Sequence, residues 1–263
     1  PPAAVFTGHV AVIRAVEDEG ILGQTGSVEG VEDHLGAQQF GKRDAARRAG
    51  AVNGVEGNAV TAEAGKVARY GLVGVGPIGL HGDNTVAAQA AREHLEGRGI
   101  LEESWVDFGL GYALPAWDSL RKHCARQGYS DDSLVAAGLL VKKEDGKTFD
   151  RFRHRIMLPI CEQRGQVVGF GARIVSAADA PKFMNSPQTD LFDKGALLYG
   201  IERAYLPIRE QGAAVLVEGY MDVVSLAAAG FDNAVAPLGT AVTSDQVALL
   251  HRFCLLYTSP RPR

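Results

Sequence analysis

This sequence predicts an α/β fold, and three observations lead to that class. Residues 215–217 form an apolar run that ends at a glycine turn, as a buried strand does. Strand and helix patterns alternate from there to residue 253, which is the order of a parallel sheet. Residues 149–175 contain strand patterns separated by glycines. We therefore expect a mixed α+β subdomain over residues 86–212, followed by part of a parallel sheet over residues 213–253.

Three segments before the sheet have helical patterns with recognisable ends. Ser130 is placed to cap the shortest of them, because its hydroxyl can accept a hydrogen bond from the first helical turn. Gly128 and Gly138 mark the ends of two helices. The predicted helices cover residues 87–96, 117–127 and 130–137.

The strands that follow are divided by turn residues. Residues 164–165 predict a hairpin turn between strands at 157–161 and 166–170. Residues 177–187 are predicted to form a loop. Two glycines are expected to interrupt the second strand, namely Gly169 and Gly171.

The parallel part should contain two strands and two helices. After residues 215–217, a helix is expected over 223–229 because Gly230 would stop it. The second strand is expected within residues 233–237. Thr243 or Ser244 is the expected cap of the last helix.

A pair of carboxylates stands at the end of the first parallel strand. Glu218 follows the apolar run directly, and Asp222 stands four residues later. Open α/β sheets bind ligands at the carboxyl ends of their strands, and carboxylate oxygens suit a hard divalent cation such as magnesium. The pattern leaves a second interpretation open, in which Asp222 caps the next helix and Glu218 is merely solvated.

The charge of the chain is uneven. The net charge is −4, so the chain as a whole does not have the basic excess typical of nucleic-acid binding. Residues 151–194, however, contain seven basic and four acidic side chains. Three scattered cysteines predict neither a disulfide framework nor a zinc site. With no membrane-spanning run and no signal peptide, a cytoplasmic location is expected.

Residues 1–85 differ in composition from the rest. They contain half of the 32 glycines, no cysteine, and no sustained apolar period. We expect little fixed structure there and a wrongly translated, non-native sequence, with a degenerate domain or an unrelated fusion as the alternatives. Residues 74–79 match the G-x-G-x-x-G pattern, but residues 82–84 interrupt the helix that a dinucleotide site needs. A dinucleotide site is therefore not favoured.

The motif Glu218-Gly-Tyr-Met-Asp222 resembles the first acidic motif of the Toprim domain in bacterial replicative DNA primases. Further segments resemble the same family, in its order and spacing, from about residue 87 to 253. The resemblance implies a primase core subdomain followed by the first half of a Toprim fold. The matching segments lie at residues 108–113, 117–118, 128–130, 150–160, 168–173, 181–187, 198–200 and 233–240.

This resemblance implies a nucleotidyltransferase that makes RNA primers on single-stranded DNA from ribonucleoside triphosphates, with Mg²⁺ or Mn²⁺ as cofactor and a replicative helicase as partner. It implies a catalytic and metal-associated role for Glu218 and a metal-ligand role for Asp222. Phe183 is expected to stack on a base. The family's zinc ribbon has no cysteine counterpart in residues 1–85. The positions implied to bind nucleic acid or nucleotide are Arg151, Arg153, Arg173, Lys182, Asn185 and Lys194.

Two other function classes stay open. Topoisomerases and recombination factors share the acidic motif but not the segment around residues 150–200. A non-catalytic fragment that binds single-stranded DNA is the other possibility. The family continues after Phe253 into an Asp-x-Asp motif, whereas residues 254–263 contain no acid. This non-family tail predicts a truncated Toprim sheet and an incomplete, inactive polymerase site.

Overall fold

A computed structural model describes residues 10–16, 20–26, 78–79, 86–175, 181–239 and 241–254. Its helices alternate with strands over most of this range. The helices are α1 (Val86–Glu96), α2 (Glu102–Asp107), α3 (Ser119–Arg126), α4 (Asp131–Ala136), α5 (Ile201–Gln211), α6 (Tyr220–Ala228) and α7 (Ser244–Cys254).

The strands form three sheets in the described part of the chain. Those of the amino-terminal half are β1 (Val10–Val16), β2 (Gly20–Gly26), β3 (Ile78–Gly79), β4 (Gly111–Ala113), β5 (Leu140–Lys142) and β6 (Thr148–Asp150). The others are β7 (Arg155–Cys161), β8 (Val167–Ile174), β9 (Phe183–Asn185), β10 (Ala213–Val217) and β11 (Ala234–Val235).

An antiparallel sheet forms the first subdomain, with strand order β3-β4-β7-β8-β9. The predicted hairpin joins β7 and β8, and Gly165 adopts a φ of 78° in its turn, a conformation that favours glycine. A separate two-stranded sheet pairs β5 with β6.

Two details of this sheet differ from the sequence expectation. Strand β8 continues through Gly169 and Gly171, although its pairing with β7 shifts register next to Gly169. The two glycines make room for aromatic rings. A Cβ atom would lie 2.7 Å from Phe192 at the first position and 2.6 Å from Tyr220 at the second. The predicted loop at residues 177–187 contains β9, which pairs with β8.

The helix ends follow the predicted capping chemistry. The Ser130 hydroxyl accepts a hydrogen bond from the Ser133 backbone N–H at 3.2 Å, as an N-cap does. Thr243 forms a reciprocal pair with Gln246: its Oγ1 accepts from the Gln246 N–H at 3.2 Å, and its own N–H donates to Gln246 Oε1 at 3.1 Å. This capping box starts α7.

The second main sheet has the order β11-β10-β1-β2. Its parallel pair is β10–β11, with Val215 opposite Ala234 and Leu216 opposite Val235. This pair confirms the predicted parallel strands. On the other side of β10, β1 pairs antiparallel with it, so the sheet is mixed.

Three strands therefore lie within residues 1–85, for which the sequence predicts little fixed structure. Strands β1 and β2 pair along their full lengths, and β3 pairs with β4. Strand β1 is apolar at six of its seven positions, whereas β2 contains three glycines and β3 has only two residues. The other residues of this segment, including 74–77 of the glycine-rich pattern, lie outside the described residues, as does the tail after residue 254.

Strand β10 is the centre of the core that carries the acid pair. All five of its residues are buried, and the twofold period of a strand sends them to two faces. Ala213, Val215 and Val217 pack in a cluster with residues of α1 and α6. Ala214 and Leu216 pack in a second cluster with residues of α5 and α7. The end of β10 is thereby held from both sides.

None of the helices in the described part of the chain has both the length and the apolar character needed to cross a membrane.

Candidate active site

The acid pair lies where β10 passes into α6. Glu218 follows β10 and is exposed, and Gly219 is the N-cap residue of α6. The helix begins at Tyr220, three residues earlier than predicted, so Asp222 lies in its first turn. The Asp222 carboxylate accepts a hydrogen bond from the Gly219 backbone N–H. Asp222 therefore caps α6 and also lies beside Glu218.

The environment of Asp222 contains charges of both signs. Partial burial is the main influence and raises the pKa of this carboxyl group, and the charge of Glu218 raises it further. The Gly219 N–H, Arg98 and Arg173 oppose that shift. A carboxylate that is both buried and close to another carboxylate is typical of a functional site rather than of a solvated surface.

Three basic residues, which we call the basic cluster, lie near one another: Arg98, Arg173 and Lys182. Of these, Arg98 and Arg173 are close enough to Asp222 to lower its pKa. Arg173 is near the end of β8 and pairs with Phe183 of β9, which places Lys182 at the next position. Arg98 follows α1 and is exposed. Burial lowers the pKa of His94 most, and the charges of all three basic residues lower it further. The end of α1, the end of β8 and the start of β9 therefore lie close together.

Arg173 lies at the base of this cluster. Only 6% of its surface is exposed. Its Nε donates to His94 Nε2 at 2.9 Å, and its guanidinium lies 4.9 Å from the centre of the Phe183 ring. Burial lowers the pKa of Arg173 and the charge of Arg98 lowers it too, whereas Asp222 raises it. Arg173 thus connects the basic cluster to the acid pair.

Phe183 is the outer surface of the cluster. It is 44% exposed, with Lys182 Nζ at 5.7 Å from its ring centre. An exposed ring flanked by two cations has the composition of a single-strand binding surface. Stacking of a base on Phe183 stays a prediction.

Asn185 forms an internal link. Its Nδ2 donates to the Leu238 carbonyl at 2.8 Å, and its Oδ1 accepts from Tyr220 Oη at 2.8 Å. Tyr220 in turn packs over Gly171. Because both ends of the amide are engaged, Asn185 fixes β9 against α6 and the segment after β11.

Arg153 lies in a second group of aromatic and basic side chains, which we call the Trp117 platform. Its guanidinium lies 4.1 Å from the Trp117 ring centre and 5.3 Å from that of Phe149. Lys143 lies 5.4 Å from the Phe149 ring centre. Trp117 is 61% exposed. The predicted basic residues therefore belong to more than one group.

The contacts of Arg151 and Lys194 place them in neither group. Arg151 Nε is buried without a hydrogen-bond partner, and burial lowers the pKa of the side chain. Lys194 contacts α7 through its backbone, because its carbonyl oxygen accepts a hydrogen bond from Gln246 Nε2 at 3.0 Å. Nucleic-acid binding by these two residues stays a prediction from the resemblance.

Comparisons with known proteins identify relatives of both parts of the chain. Residues 82–205 match the model of the DNA primase catalytic core, N-terminal domain, and residues 212–255 match that of the Toprim domain. The DNA primase of Escherichia coli K12 is 46% identical over 165 residues, which are 63% of this chain and 28% of that protein. The chain belongs to the DNA primase family. It spans about a quarter of the length of the curated primases that it matches.

Solved primase structures share the fold. The RNA polymerase domain of Mycobacterium tuberculosis primase DnaG, in complex with a double-stranded DNA oligomer with a 6-nucleotide overhang, has a TM-score of 0.64 and 35% identity over 74% of this chain and 59% of that one. The DnaG primase catalytic domain bound to single-stranded DNA has a TM-score of 0.63 and 38% identity, covering 74% of this chain and 59% of that one. Topoisomerases and recombination factors are not favoured, because the match includes the primase-specific first subdomain.

The sequence patterns do not assign three residues of this candidate site. Arg98 and His94 stand more than 70 residues before Arg173, and only the packing of α1 against the sheet brings them together. Trp117 belongs to a segment that resembles the family and to a predicted helix, and only its 61% exposure in the structure marks it as part of a binding surface.

The donor set for a cation is small. In the described part of the chain, no group of three or more histidine, cysteine, aspartate or glutamate side chains is arranged to hold a metal ion. Glu218 and Asp222 supply two carboxylates from one strand end.

Proposed function

We propose that this chain contributes the amino-terminal part of a primase polymerase site, which joins ribonucleotides into RNA primers on a single-stranded DNA template. The juxtaposition of the acid pair with the basic cluster carries the proposal. In this reaction a 3′ oxygen attacks the α-phosphorus of a nucleoside triphosphate, and pyrophosphate leaves. Negative charge therefore accumulates on the reacting phosphate groups, beside the cations of the basic cluster.

Glu218 and Asp222 fit a divalent cation chemically, since both present hard carboxylate oxygens at a sheet edge. Mg²⁺ or Mn²⁺ held there would stabilise the charge on the attacking and leaving oxygens. Magnesium binds few protein ligands and keeps several waters, so two carboxylates are a reasonable contribution from one strand end. Glu218, exposed and outside the helix, is the residue we assign to metal binding or to acceptance of the attacking hydroxyl's proton.

The basic cluster is assigned to phosphate. Arg98 and Lys182 are exposed, and Arg173 lies beneath them. Arginine offers a planar pair of donors for phosphate oxygens and lysine a point charge. The template strand would pass over Phe183 and the Trp117 platform, where stacking does not depend on base identity. In the intact protein, a replicative helicase is the expected partner.

The first test is Glu218→Gln in the intact protein that contains these residues. Primer synthesis on single-stranded DNA should fall by at least about a hundredfold, since the change removes the charge and keeps the shape. Glu144→Gln, in the exposed turn between β5 and β6, is the matched control and should be fully active. Near-normal synthesis by Glu218→Gln at saturating Mg²⁺ and Mn²⁺ would refute the assignment.

A further inference from the structure

One contact joins the first described helix to the base of the basic cluster. Arg173 Nε donates to His94 Nε2 at 2.9 Å, across 79 positions of the chain. Arginine has no acceptor atom, so this geometry needs a neutral imidazole with its proton on Nδ1. The surroundings favour that state: burial, Arg173, Arg98 and Lys182, in this order, lower the pKa of His94.

The contact restricts the orientation of the Arg173 guanidinium. Its Nε is engaged by His94, and one face lies over the Phe183 ring. What remains is the edge that carries the two Nη groups, which make no hydrogen bond with any described residue. Asp222 is near enough to raise the pKa of Arg173. A phosphate that reaches Arg173 beside the acid pair must therefore bind the Nη edge.

We propose that His94 is a positioning residue, which holds Arg173 with its Nη edge available to a phosphate group at the acid pair. This rests on the proposed function, in which Arg173 binds phosphate. The phosphate would belong to the incoming nucleotide or to the nucleic-acid backbone. The His94–Arg173 contact joins α1 to β8 and does not involve Glu218 or Asp222. The positioning role therefore does not depend on what these two carboxylates bind.

A purely structural link between α1 and β8 is the competing explanation. It predicts that any loss of the contact weakens the fold, without regard to the chemistry at position 94. A positioning role predicts that an acceptor at position 94 is sufficient. Glutamine tests this, because its Oε1 can accept the Arg173 Nε–H, whereas leucine of similar size cannot.

The experiment measures binding of a fluorescent oligo-dT strand and, separately, of a ribonucleoside triphosphate to the full chain. His94→Leu should weaken one or both by about tenfold, the usual effect of a hydrogen bond to a charged group. His94→Gln should bind within about twofold of the native chain. Whichever ligand loses affinity identifies the source of the phosphate. His123→Leu is the control, since His123 of α3 interacts instead with Gln127, the residue that follows the helix.

Arg173→Ala, alone and combined with His94→Leu, completes a double-mutant cycle. If His94 acts through Arg173, His94→Leu should cause no further loss in the Arg173→Ala background. Native affinity of Arg173→Ala would overturn the phosphate role of Arg173 and the positioning role with it. A weakened Arg173→Ala beside an unaffected His94→Leu would overturn the positioning role alone. Equal loss in His94→Leu and His94→Gln would show a structural link.

A spectroscopic measurement keeps the inference testable if His94→Leu does not fold. The imidazole of His94 is titrated by NMR in the native chain and in Arg173→Ala. The variant should show a higher pKa for His94, because the hydrogen bond to the neutral ring and the largest of the cationic influences are both lost. Arg98, Lys182 and Asp222 stay in place in both proteins. If the pKa of His94 is the same in both proteins, the hydrogen bond between His94 and Arg173 does not form and the positioning role is wrong.

Discussion

Asp222 shows how one side chain can serve the fold and the site at the same time. It accepts a hydrogen bond from Gly219 at the start of α6, and it lies beside Glu218. A carboxylate in the first helical turn favours the helix through the helix dipole. Partial burial nevertheless raises its pKa, so the ionised form is held in the fold at a cost in stability.

The sign of that cost gives a prediction. Stability from protonated Asp222 is complete below its ordinary pKa of 3.8 and is lost as pH rises through the higher folded value. Asp222→Asn keeps the acceptor for Gly219 and removes the charge. It should raise the free energy of unfolding at neutral pH, with the difference vanishing in acid, and should reduce primer synthesis in the intact protein. Urea denaturation at both pH values measures this.

The matched comparison for Asp222→Asn is Asp132→Asn. Asp132 has a side chain that is 83% exposed and pairs with Lys142, so its replacement should change stability little. A neutral-pH destabilisation by Asp222→Asn as large as the loss of a helix cap would show that capping outweighs burial.

At the scale of elements, the acid pair could be predicted because its information is local. An apolar strand, a glycine and two spaced carboxylates lie within eight consecutive residues, and Glu218 and Asp222 are found at the predicted strand end. The grouping of the basic residues could not be predicted in the same way. It depends on α1 packing against the sheet and on β9, a short strand inside a predicted loop.

The glycines of β8 show the same limit. In sequence, Gly169 and Gly171 suggest breaks in a strand. In the structure they let the rings of Phe192 and Tyr220 approach the sheet. Tyr220 then reaches Asn185, and Asn185 reaches Leu238. Which ring approaches a glycine is decided by chain segments far away in sequence, so no local pattern reports it.

Gly171→Ala tests this element-scale link. The added Cβ would lie 2.6 Å from the Tyr220 ring, so the ring must move and the bond to Asn185 must lengthen or break. We expect a destabilisation of about 1–3 kcal/mol, typical of overpacking, measured by urea denaturation. Gly195→Ala is the control, because its Cβ would meet only Asp193 Oδ1 at 3.4 Å. A Gly171→Ala variant as stable as the control would show that Tyr220 is free to move.

At the scale of the whole molecule, the net charge of −4 hides two local groups of basic side chains. The basic cluster lies at the end of β8, where Arg173 is opposite Ile156 of β7. Arg153, whose guanidinium covers one face of Trp117, lies just before β7. The cluster and the Trp117 platform are therefore at the same end of one sheet, and a single strand following that end would meet both.

The two groups should contribute to binding in different ways, and salt separates them. Lys182→Ala and Arg98→Ala each remove a phosphate contact, so each should lower the slope of log affinity against log salt by about 0.7. Trp117→Ala should weaken oligo-dT binding by about 1–3 kcal/mol through lost stacking, with the slope unchanged. Fluorescence anisotropy over a salt series measures both quantities. Lys122→Ala is the control, because Lys122 is paired with Asp118 on the surface of α3.

An unchanged slope in both cation variants would exclude the basic cluster from the strand's path. An unchanged affinity in Trp117→Ala would exclude the platform, and the strand would then have to leave the acid pair in another direction.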